Sequence, residues 1–394
     1  MRYLIAGLAA CVFALCAAPS ASAWVTFTNV NGYETQAEFV DPDVVGYPYV
    51  DEWPVLRQVK RLIDDVPRWQ NETIVAAIHS INSPLIRDAL VRARNEGVNV
   101  YVTHSGTDSG STMAQSLRSG LGSGSHKWCT YGTVNNACLS TVGGARMHSK
   151  FMAFTRTVNQ RTGQMANRVV WFGTANFTSG TGAEAFNDAM TVYDDWDLFT
   201  KFVDHLWISY WQGINRMADV HRPAFGYLRS TGSGIEINVS PDQEGDLVVD
   251  QLNRITAGPG CEIRVMQNQF GRQGVASKLA SLAWGGCTVW VLVKDVDCMV
   301  VHYLRQAPRM NIRQRQNMHA KTFIIKAPMN GVGNYAVITG SHNLNERALT
   351  YNDEILVTVP GNPTLHQGYI DYMYRAWVGR TSTDTISCGP LGPG

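Results

Sequence analysis

The chain has 394 residues, with 33 Lys and Arg against 32 Asp and Glu for a net charge of +1, and 45% of its residues are hydrophobic. Balanced charge with no basic run argues against a nucleic-acid partner without excluding one. At about 100–200 residues per domain, the length suffices for two domains or one large duplicated unit.

The opening MRYLIAGLAACVFALCAAPSASA has one basic residue, Arg2, an apolar stretch from Leu4 to Ala18, and small residues at Ala21-Ser22-Ala23. This is the layout of a cleavable secretory signal, and the stretch is short for a bilayer and ends in Pro and Ser. A signal peptide over 1–23, a mature start near Trp24 and a secreted, extracellular product are expected. Cys129, Cys138, Cys261, Cys287, Cys298 and Cys388 then remain. An even number in an exported chain points to disulfides. Fifteen pairings are possible; the expected set is Cys129–Cys138 as a loop staple, Cys261–Cys287 between neighbouring strands, and Cys298–Cys388 holding the tail. No Cys-x-x-Cys pair occurs and the His residues do not cluster with the Cys, so no metal site is expected.

In chain order, TIVAAI (73–78) reads as a buried strand, and PLIRDALVRAR (84–94) puts Leu85, Ile86, Ala89, Leu90 and Ala93 on one helical face. Asn95-Glu96-Gly97 closes that helix, and VNVYVTHSG (98–106) alternates like a strand. CEIRVMQNQ (261–269), a helix around Val275 to Ala283, Gly285-Gly286 and TVWVLVKD (288–295) repeat the same order. Each unit is followed by Met-His-x-Lys in an apolar run, RMHSKFMAF (146–154) and NMHAKTFII (317–325). Each run leads to another strand and turn, VVWFGTANFTSG (169–180) and YAVITGSHNLNE (335–346). The first copy carries about eighteen extra residues, within a Gly/Ser-rich loop and the Cys129–Cys138 segment, which reads as a lid or as disorder.

Alternating strands and helices predict an α/β fold of two repeated halves with mixed, mostly parallel sheets. The halves are expected over 24–222 and 223–394, with the crossing near Pro223 to Pro241. In extended chain, residues i and i+2 share a face, so His148 with Lys150 and His319 with Lys321 converge in pairs. Two imidazoles, two ammonium groups and the amides of Asn176 and Asn343 make a pocket for a phosphodiester. One His is able to attack phosphorus and the other to protonate the leaving oxygen, while Lys and Asn stabilise the non-bridging oxygens. No metal or cofactor is required. A carboxylate on the other ring nitrogen would fix each tautomer.

MHSK with GTANFTSGTGAEAFNDA and MHAK with TGSHNLNERALTYNDE resemble the phospholipase D superfamily, in its secreted bacterial form, over roughly 70–205 and 255–360. The resemblance implies a bilobal α/β fold, one shared active site and a phosphohistidine intermediate. It further implies His148 as nucleophile and His319 as general acid. The family's Asp after each motif is replaced by Thr155 and Lys326. Glu354 in NDE fits the family's acidic residue, but in the parallel NDA its counterpart is Ala189, with Asp188 or Glu184 as substitutes. His342, beside Asn343, is placed to line the pocket; the remaining histidines lack the Lys spacing.

Three classes of function follow. A secreted phospholipase D, hydrolysing headgroup phosphodiesters or exchanging them with alcohols at a vesicle or membrane surface, suits the export signal, neutral charge and eleven Trp. A secreted metal-independent endonuclease is the alternative, with Arg305, Arg309, Arg313 and Arg315 as a basic cluster. A binder without turnover is the third. No protein partner is implied, and a monomer is expected because one chain holds both motifs.

Overall fold

The computed structural model describes residues 24–43, 53–68, 71–130, 132–213, 226–242, 245–379, 382–383 and 385–390. The expected signal peptide, His221 and the start of the expected crossing lie outside them. Among the described residues no helix is long and apolar enough to cross a membrane.

Two sheets form. The first holds β1 (Trp24–Val30), β2 (Tyr33–Val40), β3 (Thr73–Ile78), β4 (Asn99–Ser105), β5 (His126–Cys129), β6 (Phe151–Val158), β7 (Met165–Gly173) and β8 (Asn187–Val192). The second holds β9 (Tyr227–Arg229), β10 (Glu236–Ser240), β11 (Glu262–Phe270), β12 (Thr288–Val296), β13 (Met310–Arg315), β14 (Lys321–Met329), β15 (Gly333–Gly340), β16 (Glu354–Pro360) and β17 (Ser382–Thr383). Their orders are β1-β2-β8-β7-β6-β3-β4-β5 and β17-β13-β12-β11-β14-β15-β16-β10-β9. Read from opposite ends, the two sheets match strand for strand, with β17 added to the second.

The expected predominance of parallel pairing is not found. Parallel ladders are confined to β3-β4-β5 and β11-β12-β13. There a helix joins each strand to its immediate neighbour in the sheet: α1 (Pro84–Asn95), α2 (Thr112–Leu121), α3 (Gln273–Trp284) and α4 (Cys298–Arg305). Hairpins such as β6-β7 and β14-β15 make the other pairs antiparallel. Helix α1 starts at Pro84 and buries Ile86, Ala89, Leu90 and Ala93, as its periodicity predicts. The Gly/Ser-rich segment is ordered as α2, whose N-cap Ser111 accepts from Ala114 N and whose counterpart is α4, so most of the extra residues of the first copy lie in the loop beyond β5.

A central core joins the halves. Phe39, Phe151, Phe172 and Met190 from the first sheet meet Ile237, Ile324 and Val357 from the second, with Tyr369 and Tyr372 of α5 (Pro363–Val378). Burying each large side chain of this kind contributes about 1.5–3 kcal/mol. Separate cores under the outer helices serve each sheet alone. Disulfides join Cys129–Cys138, Cys261–Cys287 and Cys298–Cys388, the expected set.

Candidate active site

Both His-x-Lys elements lie in extended chain just ahead of β6 and at the start of β14, and each docks on the opposite half. His148 N donates to Asp353 O at 2.9 Å, and His319 N donates to Phe186 O at 3.1 Å. The residue after each acceptor then reaches the histidine ring. Glu354 Oε2 accepts from His148 Nδ1 at 2.8 Å, and Asn187 Oδ1 lies 2.8 Å from His319 Nδ1. Asn187 is held as an acceptor there, because its Nδ2 donates to Thr181 O and Ala185 O while Thr174 Oγ1 donates to its Oδ1. With each Nδ1 occupied, Nε2 is the nitrogen left for chemistry.

Lys150 and Lys321 are buried, and each folds its Nζ back to donate to the carbonyl of its own histidine, His148 O and His319 O. Burial, opposed by Glu354, brings the Lys150 pKa down to about 7. Burial and the Lys150 charge push Lys321 well below an ordinary ammonium. Both histidines are also depressed: His148 by burial and the charges of Lys150, Lys321 and Arg146, and His319 by burial, Lys321, Lys150 and His148. At His148 the Ser341 backbone opposes that shift. Such a centre is short of negative charge, and an anion placed in it raises all four pKa values.

Asn176 and Asn343 follow the turns at the ends of β7 and β15, and the amide oxygen of each is buried without a hydrogen-bond partner. Both turns need their glycine. A Cβ on Gly173 would sit 2.6 Å from Asp188 O, and one on Gly340, at φ +135°, would collide with Ile355 O.

Two expectations are corrected. Asp188 holds neither imidazole: it is fully buried, accepting from Thr322 Oγ1 at 2.7 Å, Thr339 Oγ1 at 2.6 Å and the Tyr369 hydroxyl at 3.0 Å. Burial raises its pKa. Glu184 is exposed. The first-half histidine takes its carboxylate from the second half, through Glu354, and the true counterpart of Glu354 is Asn187. Fourteen residues separate Gly173 from Asn187 and Gly340 from Glu354, a count in the sequence that identifies the pair. His79 was also missed: its ring meets that of His148 at 4.5 Å between centroids, with Nδ1 2.9 Å from Met147 O. His342 is buried, and burial with the Arg272 charge lowers its pKa to about 3. Thr155 bonds Glu72 and Thr73, and Lys326 pairs with Glu262 at 3.5 Å, so the two replaced family positions serve the sheets.

Residues 247–377 match the family model described as "Cardiolipin synthase, PLD-like domain". A phosphatidylserine synthase from Haemophilus influenzae Rd KW20 has a similar fold, with TM-score 0.57 at 10% identity over 83% of this chain and 84% of that one. A polyphosphate kinase from Porphyromonas gingivalis gives TM-score 0.54 at 14% identity over 91% of this chain and 53% of that one. The chain thus spans about half the length of that kinase. Nuc from Salmonella typhimurium, a phospholipase D family member, matches at 21% identity and TM-score 0.31, over 39% of this chain and 98% of that one. No curated protein matches the sequence. Residues 247–377 thus carry the match to a PLD-like domain, and the chain as a whole shares its fold with the synthase and the kinase.

Proposed function

We propose that the protein is a secreted phospholipase D, cleaving the headgroup phosphodiester of phospholipids through a phosphohistidine on His148. The observation that carries a two-histidine phosphodiesterase is the exchanged anchoring of the rings: an anion, Glu354, on His148 and a neutral amide, Asn187, on His319. The carboxylate makes His148 the more electron-rich ring and stabilises the positive charge it acquires on attack. His148 Nε2 forms a bond to phosphorus as the bond to the leaving oxygen breaks, and protonated His319 gives its Nε2 proton to that oxygen. Water then attacks phosphorus, His319 takes back a proton, and the N–P bond breaks to release a phosphate monoester. An alcohol in place of water gives exchange. Lys150, Lys321, Asn176 and Asn343 hold the non-bridging oxygens.

Two observations favour a lipid over a nucleic acid. Val134, 66% exposed on the loop whose Cys138, Leu139 and Ser140 N donate to Asp353, and Tyr351, 37% exposed two residues before Asp353, suit contact with an apolar surface. The arginine cluster of the nuclease alternative is dispersed. Arg315 is fully buried against Asp43 and Phe186, Arg313 stacks on Trp377, and Arg309 donates to Gly286 O.

The test offers the chain from Trp24 phospholipid vesicles and DNA in parallel without added metal, alongside His148→Ala and His319→Ala. Headgroup release lost in both variants is the expected result. DNA cleavage with the same dependence and no headgroup release would move the protein to the nuclease alternative, and activity that survives His148→Ala would sink the mechanism.

A further inference from the structure

Because the halves match strand for strand, each position in one has a counterpart in the other, and the mismatches beside the site are informative. Ala77 lies opposite Phe151 as Met266 lies opposite Thr322. Ser83 N and Arg272 N donate to Phe177 O and Leu344 O, and Thr174 N and Ser341 N donate to Asp188 O and Ile355 O. By these registers, Ile78, Ser83 and Ala175 of the first half correspond to Gln267, Arg272 and His342 of the second.

The three replacements are polar and nearly sealed, with exposures of 0% for Gln267, 6% for Arg272 and 1% for His342. Both amide atoms of Gln267, both ring nitrogens of His342, and Nε and Nη2 of Arg272 have no hydrogen-bond partner. Arg272 is tethered through Nη1 to Asp246 at 3.0 Å. Gln267 lies directly across from Lys321, so its amide shares a face with that ammonium. His342 lies within the electrostatic reach of both Arg272 and Glu354. Buried polar groups in native proteins are rarely left unpaired, and a group of them beside a reacting centre calls for an occupant.

We propose that Gln267, Arg272 and His342 form a subsite for a second anionic group of the substrate, a carboxylate or a further phosphate carried beyond the scissile phosphodiester; this deepens, and rests on, the phosphodiesterase reading. The free edge of the Arg272 guanidinium, Nε and Nη2, is the fork that binds carboxylate or phosphate through two parallel hydrogen bonds. His342 and Gln267 add one imidazole N–H and one amide NH₂ as neutral donors. Trapped water would satisfy the amide and the imidazole equally well, but it would not make binding depend on ligand charge. The cluster is closed to solvent, so it must open for the anion to enter.

The experiment is calorimetric titration with two matched pairs of probes. O-phosphoethanolamine and O-phosphoserine differ by one carboxylate; propane-1,3-diol monophosphate and bisphosphate differ by one phosphate. In the wild-type protein the added anion is expected to tighten Kd at least tenfold within one pair, and which pair responds identifies the group. Arg272→Ser and His342→Ala, which copy the first half, bring that ratio towards one. Arg272→Lys keeps the charge without the fork and is expected to retain part of the preference, so the test stands even if Arg272→Ser fails to fold. Equal affinities within both pairs for the wild type, or a preference unchanged in the variants, overturns the subsite. A wild-type protein that binds none of the four probes overturns the subsite together with the reading beneath it.

Discussion

Asn187 and Glu354 occupy equivalent positions and hold equivalent nitrogens, yet one is a neutral amide and the other a carboxylate. That single difference breaks the symmetry of the site. Glu354→Gln keeps an oxygen able to accept from His148 Nδ1 while removing the charge, so it is expected to lower kcat by about 10²-fold. Little change in KM should accompany it, and a kcat within twofold of wild type would show that the carboxylate does not activate the ring. Lys150 sets a pH limit. Its pKa, brought down to about 7 by burial, means that the ammonium is present below that pH and lost as pH rises through it. Because kcat/KM reports the free enzyme, its fall with rising pH, begun by loss of the His319 proton, is expected to steepen above pH 7 by about a further tenfold per unit. Lys150→Arg, which stays charged, moves that limb to higher pH; a limb that stays in place assigns it to another group.

At the scale of elements, the turns after β7 and β15 bring Asn176 and Asn343 to the centre by letting β7 approach β8, and β15 approach β16, without a side chain between them. Gly340→Ala places a Cβ against Ile355 O at a positive φ, and since Ile355 follows Glu354, the strain falls on the anchor of His148. Loss of activity together with about 1–3 kcal/mol of stability is expected in chemical denaturation. Full activity would mean that β15 and β16 separate freely. Much at this scale was legible in the sequence: β3, α1, β4 and their second copies follow from hydrophobic period, and the doubled His-x-Lys from its repetition. Two things were not. The hairpin partner β2 reads as polar because Gln36 and Glu38 are buried in it, so the strand that completes the sheet hides among charged letters. Asn187 was hidden by the spelling of NDA beside NDE, which invites an alignment two residues out of step. Backbone distance from the glycine, and not letter identity, sets which side chain reaches the ring.

The whole molecule is tied by a core drawn from both sheets, so unfolding is expected as one cooperative transition, with near-UV and far-UV circular dichroism changing together. Residues 24–222 and 223–394, produced separately, are each expected to lack activity, with activity returning only where the two associate; a half that turns over substrate alone would contradict the exchanged anchors. The exchange also has a temporal consequence. Ribosomes make His148 early, but its carboxylate partner is the 354th residue, and the ring has no fixed tautomer until that partner arrives and β16 pairs with β15. A nascent or truncated chain therefore displays the reactive imidazole without the means to use it. Competence is thereby tied to synthesis of both halves: a chain stopped before Glu354 lacks the carboxylate that holds His148.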